Sequence, residues 1–411
     1  MQDKSTTKST FLQLLDPITN SKVKEKIKAL GVDRYVKKLP TTEFLFLLSY
    51  AQLQQFKSLR QISSSIQNEF LQNALDINSF SASQISRRLR DLPTEIVRSF
   101  FDEVRSELVR SLQRKPSNMD EIQIIDSTTI SLCLTKYPWA VFRKAKAGVK
   151  IHLRICFTDT ITIPENLTIT PAKKNDRTQM EPLVKVDSDA IQVFDRGYVD
   201  YEKFDDYCRD GILFVTRLKE NAIIDVIEEL PVKPNSFIHR ERIVRLGNAG
   251  INKMEHPLRC VEILDTQGHI IIIVTNDFNR SVEEIGDIYR HRWQIELFFK
   301  WIKQHLQVKH FFGTGQQAVE NQIHIILIAY CLLKLLSVRS GFTGTLLEIQ
   351  RLLQACWFEM FDCFLQKLQR PKRSSRGRRK AENERIFAFV ERQVMEDLDL
   401  VYDNTYEMAF I

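Results

Sequence analysis

Four residues in one run are of types that do phosphate chemistry: Tyr289, Arg292, Glu296 and Lys303. At roughly 100° per residue their spacing sets them at about 0°, 300°, 340° and 320° around a helix, one stripe about 60° wide. The apolar Ile295, Phe298 and Ile302 fall elsewhere, near 240°, 180° and 220° by the same arithmetic. The polar stripe is thus not needed for packing. A carboxylate can hold a divalent metal, and cations beside an aromatic suit a nucleic-acid strand. For Arg, Glu and Lys alone the plainer reading is a solvated face with an i,i+4 ion pair. The rest of the chain decides between the two.

Two further carboxylates matter. Asp126 ends an apolar run at 121–126 and Asp195 ends another at 191–195. Both read as strands whose ends lie where ligands collect in an open α/β sheet. If those strands are neighbours the carboxylates converge, with Glu296 supplied by a helix across the sheet edge. Hard oxygen ligands of this kind suit Mg²⁺ or Mn²⁺. Without a cation three clustered carboxylates would repel one another. Two ions roughly 3.5–4 Å apart could activate a water or a 3′-hydroxyl and stabilise the leaving oxygen. A lone Asp at a strand end is more often a cap or turn residue, but two of them with the Glu stripe favour a metal site.

The elements that must position these groups follow from patterning. Residues 1–115 read as all-helical: a Leu- and Phe-rich run at 44–56, a second helix at 59–66, a Ser81–Gln84 capping box opening 82–92, and a long helix after Pro93 with Ile96, Phe100, Val104 and Leu108 spaced by four. The short helix bearing Gln84, Arg87, Arg88 and Arg90 follows another short helix and an Asn/Ser-rich turn. It reads either as a helix-turn-helix reader of DNA or as a small bundle with a basic surface. Residues 128–134 read as the hairpin partner of 121–126. Residues 148–157 alternate, Val149, Ile151, Leu153 and Ile155 against Lys150, His152 and Arg154. A helix at 201–209 and a strand at 212–218 follow 191–195. The fold class is α/β, three antiparallel strands and then alternating strands and helices. Residues 221–280 are β-rich, with strands at 237–246, 258–264 and 270–275, and read as an insertion before the Glu296 helix. Helices then run to the end.

Composition bounds the rest. The chain has 411 residues, 43% apolar and 27% charged, with a net charge of +7, enough for two or three globular domains and consistent with a polyanionic partner. Eight Lys or Arg and no acid lie between Lys367 and Lys380, with Pro371, Ser374, Ser375 and Gly377 among them. That segment reads as flexible and touching phosphates, or else as a solvated surface loop. Seven dispersed cysteines without a Cys-x-x-Cys pair read as reduced thiols in the cytoplasm. The N-terminus has no signal-peptide core, and the longest apolar run, 325–333, is short for a bilayer and reads as a buried helix. There is no internal repeat and no Walker-type loop.

With these residues in view the chain resembles the DDE transposases of the bacterial insertion-sequence-four family. The resemblance rests on Asp126-Ser-Thr, on Asp195-Arg-Gly-Tyr198 and above all on Tyr289-x2-Arg292-x3-Glu296-x6-Lys303. Gly148-Val-Lys150-Ile-His152, Phe214-Val-Thr-Arg217-Leu-Lys219, Val274-Thr-Asn276 and Arg292-Trp293 add to it. The stretches 34–37, 59–60 and 83–92 resemble the helical domain that precedes many such catalytic domains, so the likeness spans roughly residues 8–340.

The resemblance implies a ribonuclease-H-like fold at 116–220 and 281–340, a β-rich insertion at 221–280, a helical DNA-binding domain at 1–115 and a helical C-terminal region at 341–411. The separations fit, 195 − 126 = 69 and 296 − 195 = 101 residues. It implies that Asp126, Asp195 and Glu296 bind two Mg²⁺ or Mn²⁺ ions. Arg292 and Lys303 would hold phosphates, Tyr289 a terminal phosphate or a displaced base, and Lys150, Arg196, Arg87 and Arg88 further DNA. It also implies cleavage and strand transfer at the inverted repeats of an insertion sequence, and a homodimer holding two DNA ends in the bacterial nucleoid. Relatives cut through a hairpin and flip a base onto an aromatic. In some of them a tryptophan of the insertion serves, and residues 221–280 contain none. His152 reads as a structural strand-face histidine ahead of an aid to substrate binding, Asp176 as an ordinary polar residue ahead of a support for the site, Arg196 and Tyr198 as orienting the Asp195 loop or as plain turn residues, and Trp293 and Trp301 as packing. A DNA-binding protein without catalysis and a nuclease without strand transfer remain the alternatives.

Overall fold

A computed structural model describes residues 8–15, 21–112, 121–144, 146–158, 161–186, 190–232, 238–264, 270–306, 308 and 310–370. Seven helices come first: α1 (Thr10–Leu15), α2 (Ser21–Leu30), α3 (Thr41–Leu53), α4 (Leu59–Ser65), α5 (Glu69–Leu75), α6 (Ala82–Asp91) and α7 (Thr94–Ser111). The predicted capping box is present, the Ser81 hydroxyl accepting from Gln84 N and the Gln84 side chain accepting from Ser81 N. The four-residue spacing of α7 buries Ile96, Phe100, Val104 and Leu108 completely, each burial worth roughly 1.5–3 kcal/mol.

The sheet then forms from β1 (Ile122–Leu132), β2 (Val141–Arg143), β3 (Lys146–Thr158) and β4 (Ile161–Pro171). After the short α8 (Met180–Leu183) come β5 (Ile191–Phe194), α9 (Tyr201–Asp210) and β6 (Phe214–Arg217). Four more strands follow, β7 (Ile224–Leu230), β8 (Ile238–Leu246), β9 (Leu258–Leu264) and β10 (Ile270–Thr275). The remaining helices are α10 (Val282–Arg290), α11 (Trp293–His305), α12 (Gln316–Ser340), α13 (Leu346–Cys356) and α14 (Phe361–Leu368).

The order β4-β3-β1-β5-β6 puts three antiparallel strands beside two parallel ones, a ribonuclease-H-like sheet. One sequence expectation changes here. Residues 122–132 are one strand rather than a hairpin, because β1 pairs β3 without a break from Ile122↔Phe157 to Leu132↔Ala147. Thr128 and Thr129 favour extended backbone and no Gly or Pro interrupts them. The third antiparallel strand is instead β4, whose Pro164 sits at a bulge opposite Ile155, where a missing N–H is tolerated. The strands of 221–280 extend the same sheet. β10 pairs β6 and carries β9, β8 and β7 outward, so a single ten-stranded sheet results.

By length and apolar content α12 could span a bilayer. Its apolar surface is instead buried against α3, α6, α7, α13 and β4, and it is the helix on which the N-terminal bundle assembles.

Candidate active site

Strand register builds the site. β1 and β5 run parallel with Ile125 opposite Phe194, and β5 and β6 run parallel with Phe194 opposite Thr216. One step further along each strand come Asp126, Asp195 and Arg217, a row across three adjacent strands. Asp126 does not end its strand, as its sequence implied. It stands where β1 loses its parallel neighbour while β3 continues to pair it on the other side.

The stripe 289–303 is likewise not one helix. α10 stops at Arg290, and α11 starts at Trp293 after a tighter turn in which Arg292 N bonds Tyr289 O at 3.0 Å. Tyr289 therefore belongs to α10 and faces the guanidinium of Arg292, whose Cζ lies 5.9 Å from its ring centroid. α11 packs on β1 and brings Glu296 over the row.

Arg292 stands where the acids converge. Its Nη1 is 2.6 Å from Glu296 Oε1 and 3.8 Å from Asp126 Oδ2. Neither Nη1 nor Oε1 has an aligned hydrogen-bond partner. Burial, aided by Asp195 and Glu296 and opposed by Arg292, pushes the Asp126 carboxyl up to about 8. Burial also raises Glu296, with Arg292 working against it and Asp195 with it. Burial opposes the charge of Arg292, but Tyr289, Asp195, Glu296 and Asp126 hold it firmly protonated. The three acids are not as tightly gathered as Glu121, Cys156 and Glu165, whose ligand atoms lie within 4.8 Å of one another. That second cluster is already neutralised, since Glu165 is paired with Arg154 at 3.1 Å and Arg105 at 3.7 Å.

A support layer lies behind Asp126. The Asp176 carboxylate accepts from Ser127 Oγ at 2.7 Å and Lys150 Nζ at 3.3 Å, and His152 Nδ1 is 3.3 Å away. Burial works to raise Asp176, but His152, Ser127 and Lys150 outweigh it and hold the group below the usual carboxylate range. His152 is fully buried and its Nε2 meets Thr170 Oγ1 at 2.9 Å. Tyr198, also buried, has its hydroxyl beside Ser127, Asp126 and Asp176 without a well-aligned hydrogen bond.

Other expected residues are distributed as follows. Lys303 stands about two turns beyond Glu296 on α11, and Arg196 opens the short turn after Asp195. Trp301 packs against Tyr330 at 5.5 Å. Arg87 and Arg88 are on α6, which packs chiefly on α4 and α12. Arg87 is exposed, whereas Arg88 is turned inward to Asp33 at 2.9 Å and Thr41 at 2.7 Å. Sequence reading gave no site role to Arg217 or Ser127. Arg217 ends an apolar strand in register with the two aspartates, which was the available signal, and its charge bears on Tyr289. Beyond Arg370 the basic segment lies outside the described residues.

A ribonuclease-H-like sheet with carboxylates at this edge is the frame of the DDE nucleotidyl-transfer enzymes. The chain matches the model of the transposase DDE domain over residues 117–332 and belongs to that family. It is a transposase, an enzyme that cleaves DNA and transfers the cut strand. A domain of unknown function matches residues 6–71. One relative, named a probable transposase for insertion sequence element IS5377, from Geobacillus stearothermophilus, is 27% identical over 334 residues, 81% of this chain and 85% of its own. A Sinorhizobium fredii protein named as transposase y4zB is 31% identical over 72% of this chain and 83% of its own. A Synechocystis protein named as a transposase for element IS4SA is 24% identical over 72% of this chain and 84% of its own. Transposase DDE domains depend on a divalent metal, generally Mg²⁺ or Mn²⁺.

Proposed function

We propose that Asp126, Asp195 and Glu296 hold two divalent ions, and that the protein cuts and pastes DNA at the terminal inverted repeats of an insertion sequence. One observation carries this reading: Asp126 and Asp195 stand side by side where the parallel pairing of β1 and β5 stops, and the Arg292 guanidinium answers the charge of both and of Glu296. The donor set is all carboxylate oxygen, two of its acids are pushed up by burial and by one another, and Glu296 Oε1 lacks an aligned partner. Those are the properties of a site that takes a hard cation.

When bound, the ions supply Lewis acidity to the attacking and leaving oxygens. The chain's own residues do the rest. Arg292, released from Glu296, takes a phosphate of the DNA end, and Lys303, Lys150, Arg196 and the exposed Arg87 add phosphate contacts. Tyr289 lies against Arg292 and fixes its direction toward the terminal phosphate or a displaced base. A water oxygen attacks phosphorus and the P–O3′ bond breaks, leaving a 3′-hydroxyl. That hydroxyl then attacks a phosphorus of the target strand and expels its 3′ oxygen. Two copies working as a homodimer would hold both element ends at the nucleoid.

A supercoiled plasmid carrying the element ends, incubated with Mg²⁺, tests the reading. Strand-transfer product is expected. Cleavage without joining would make the protein a nuclease, and binding without cutting a DNA-binding protein. Glu296→Gln should lower cleavage by about 10²–10³-fold and keep DNA binding. Undiminished cutting would remove Glu296 from the site.

A further inference from the structure

The turn between α2 and α3, residues 31–40, holds a large aromatic in a conformation that costs energy and gains it no packing. Tyr35 has φ +68° and is 86% exposed. For a side chain of this size the left-handed region is sterically unfavourable, and such strain persists only where surrounding structure dictates it. Here it does. Arg34 N bonds Gly31 O and Val36 N bonds Asp33 O, each at 3.0 Å. The Asp33 carboxylate accepts from Thr41 N at 2.9 Å, from Thr41 Oγ1 at 2.6 Å and from Arg88 Nη2 at 2.9 Å. Arg88 also donates to Val32 O at 3.3 Å, and its Cζ lies 5.8 Å from the ring centroid of the buried Phe44. The turn is thereby pinned to α3 and α6.

What the pinned turn presents outward is uniform in chemistry. Arg34, Tyr35, Lys37 and Lys38 are exposed, and its single acid, Asp33, is turned inward. The Arg34 guanidinium lies over the Tyr35 ring, 5.3 Å from its centroid. Arg87, next to the pinning Arg88, is exposed on α6. Among the described residues none of these cations forms an ion pair. Cations around a flat ring match an anionic, groove-bearing polymer, and the patch offers no acid for a basic protein partner.

We propose that the Arg34–Lys38 turn is a DNA hook, with Arg34, Lys37 and Lys38 on phosphates and Tyr35 set against a sugar or base edge. It assigns a task to part of the domain of unknown function, and it rests on DNA being the substrate. It also changes the meaning of α6, where Arg88 builds the hook rather than touching DNA.

The test uses the full chain and a fluorescein-labelled random-sequence duplex, read by anisotropy over a salt series. The triple variant Arg34→Ala, Lys37→Ala, Lys38→Ala should reduce the slope of log K against log salt by about 2–3, near 0.9 per phosphate contact. Tyr35→Ala should weaken binding roughly tenfold with the slope unchanged, and Tyr35→Phe should restore most of it. Tyr35→Gly relieves the strain, so it should melt no lower than wild type and yet bind as weakly as Tyr35→Ala. Wild-type binding with unchanged affinity and slope in these variants overturns the hook and leaves DNA as substrate. Wild-type protein that fails to bind the duplex overturns both. Ultraviolet cross-linking to a bromodeoxyuridine-substituted duplex should yield an adduct at Tyr35, and adducts confined to other peptides count against it.

Discussion

Two patches of this sheet bury charge in opposite ways. Across β8 and β9, Arg259 Nε meets Glu241 at 2.6 Å and Arg242 pairs with Glu262. All four residues are buried, and two cations answer two anions. At the row that Asp126 of β1 and Asp195 after β5 begin, three carboxyl groups gather around Arg292, and the Arg292–Glu296 pair at its centre is not aligned as a hydrogen bond. The first patch is complete in itself. The second gathers more acids than it ionises together and keeps Asp126 protonated near neutral pH, a condition that a structural ion-pair network has no reason to keep and that a bound cation relieves.

Removing a cation from each patch should separate them most clearly. Arg292→Gln and Arg259→Met should each destabilise the metal-free protein by about 3–5 kcal/mol in urea unfolding, since each strands a buried carboxylate. Mg²⁺ should recover much of the loss in Arg292→Gln and none in Arg259→Met. Recovery of both, or of neither, would erase the distinction.

A pH series sharpens it further. The folded pKa of Asp126, about 8, lies above the ordinary carboxylate value. A raised folded pKa means the group's contribution is whole below about pH 4 and is lost as pH climbs to about 8. Asp126→Asn should therefore leave metal-free stability unchanged near pH 4 and raise it by a few kcal/mol near pH 8. A gain independent of pH would contradict the shift.

Asp176→Ala strips the acceptor from Ser127, Lys150 and His152 and should cost about 1–3 kcal/mol, with slower cleavage that Asp176→Asn partly restores. Equal activity in both variants would reduce Asp176 to a packing residue. The smallest effect is expected where charge is balanced. Arg242→Met combined with Glu262→Leu should stay within about 1 kcal/mol of wild type or exceed it, and a large loss would mean that this pair is not self-contained.

The same contrast explains what could be read from the chain. Periodicity carried α7, α9 and β3, and local capping chemistry carried α6, because these depend on near neighbours. β4 was hidden by Pro164, Glu165 and Asn166, which break alternation at a bulge that only the β3 partner reveals. β7, an edge strand of sequence Ile-Asp-Val-Ile-Glu-Glu-Leu with little buried, has no apolar face to announce it. The reactive residue types were legible at Asp126, Asp195, Arg292 and Glu296. Arg217 was not, because its place depends on register across three strands, and neither was the inward turn of Arg88, which depends on Asp33 some fifty residues earlier.

The most direct measurement is a calorimetric titration of the full chain with Mn²⁺ near pH 7, repeated in buffers of different ionisation enthalpy. An ion entering a site whose Asp126 is still protonated must displace that proton. Wild type should release about one proton as it binds, and Asp126→Asn should release none. Tight binding by wild type with no proton release, or no binding at all, would contradict a cation-binding carboxylate site built on Asp126 of β1 and Asp195 after β5.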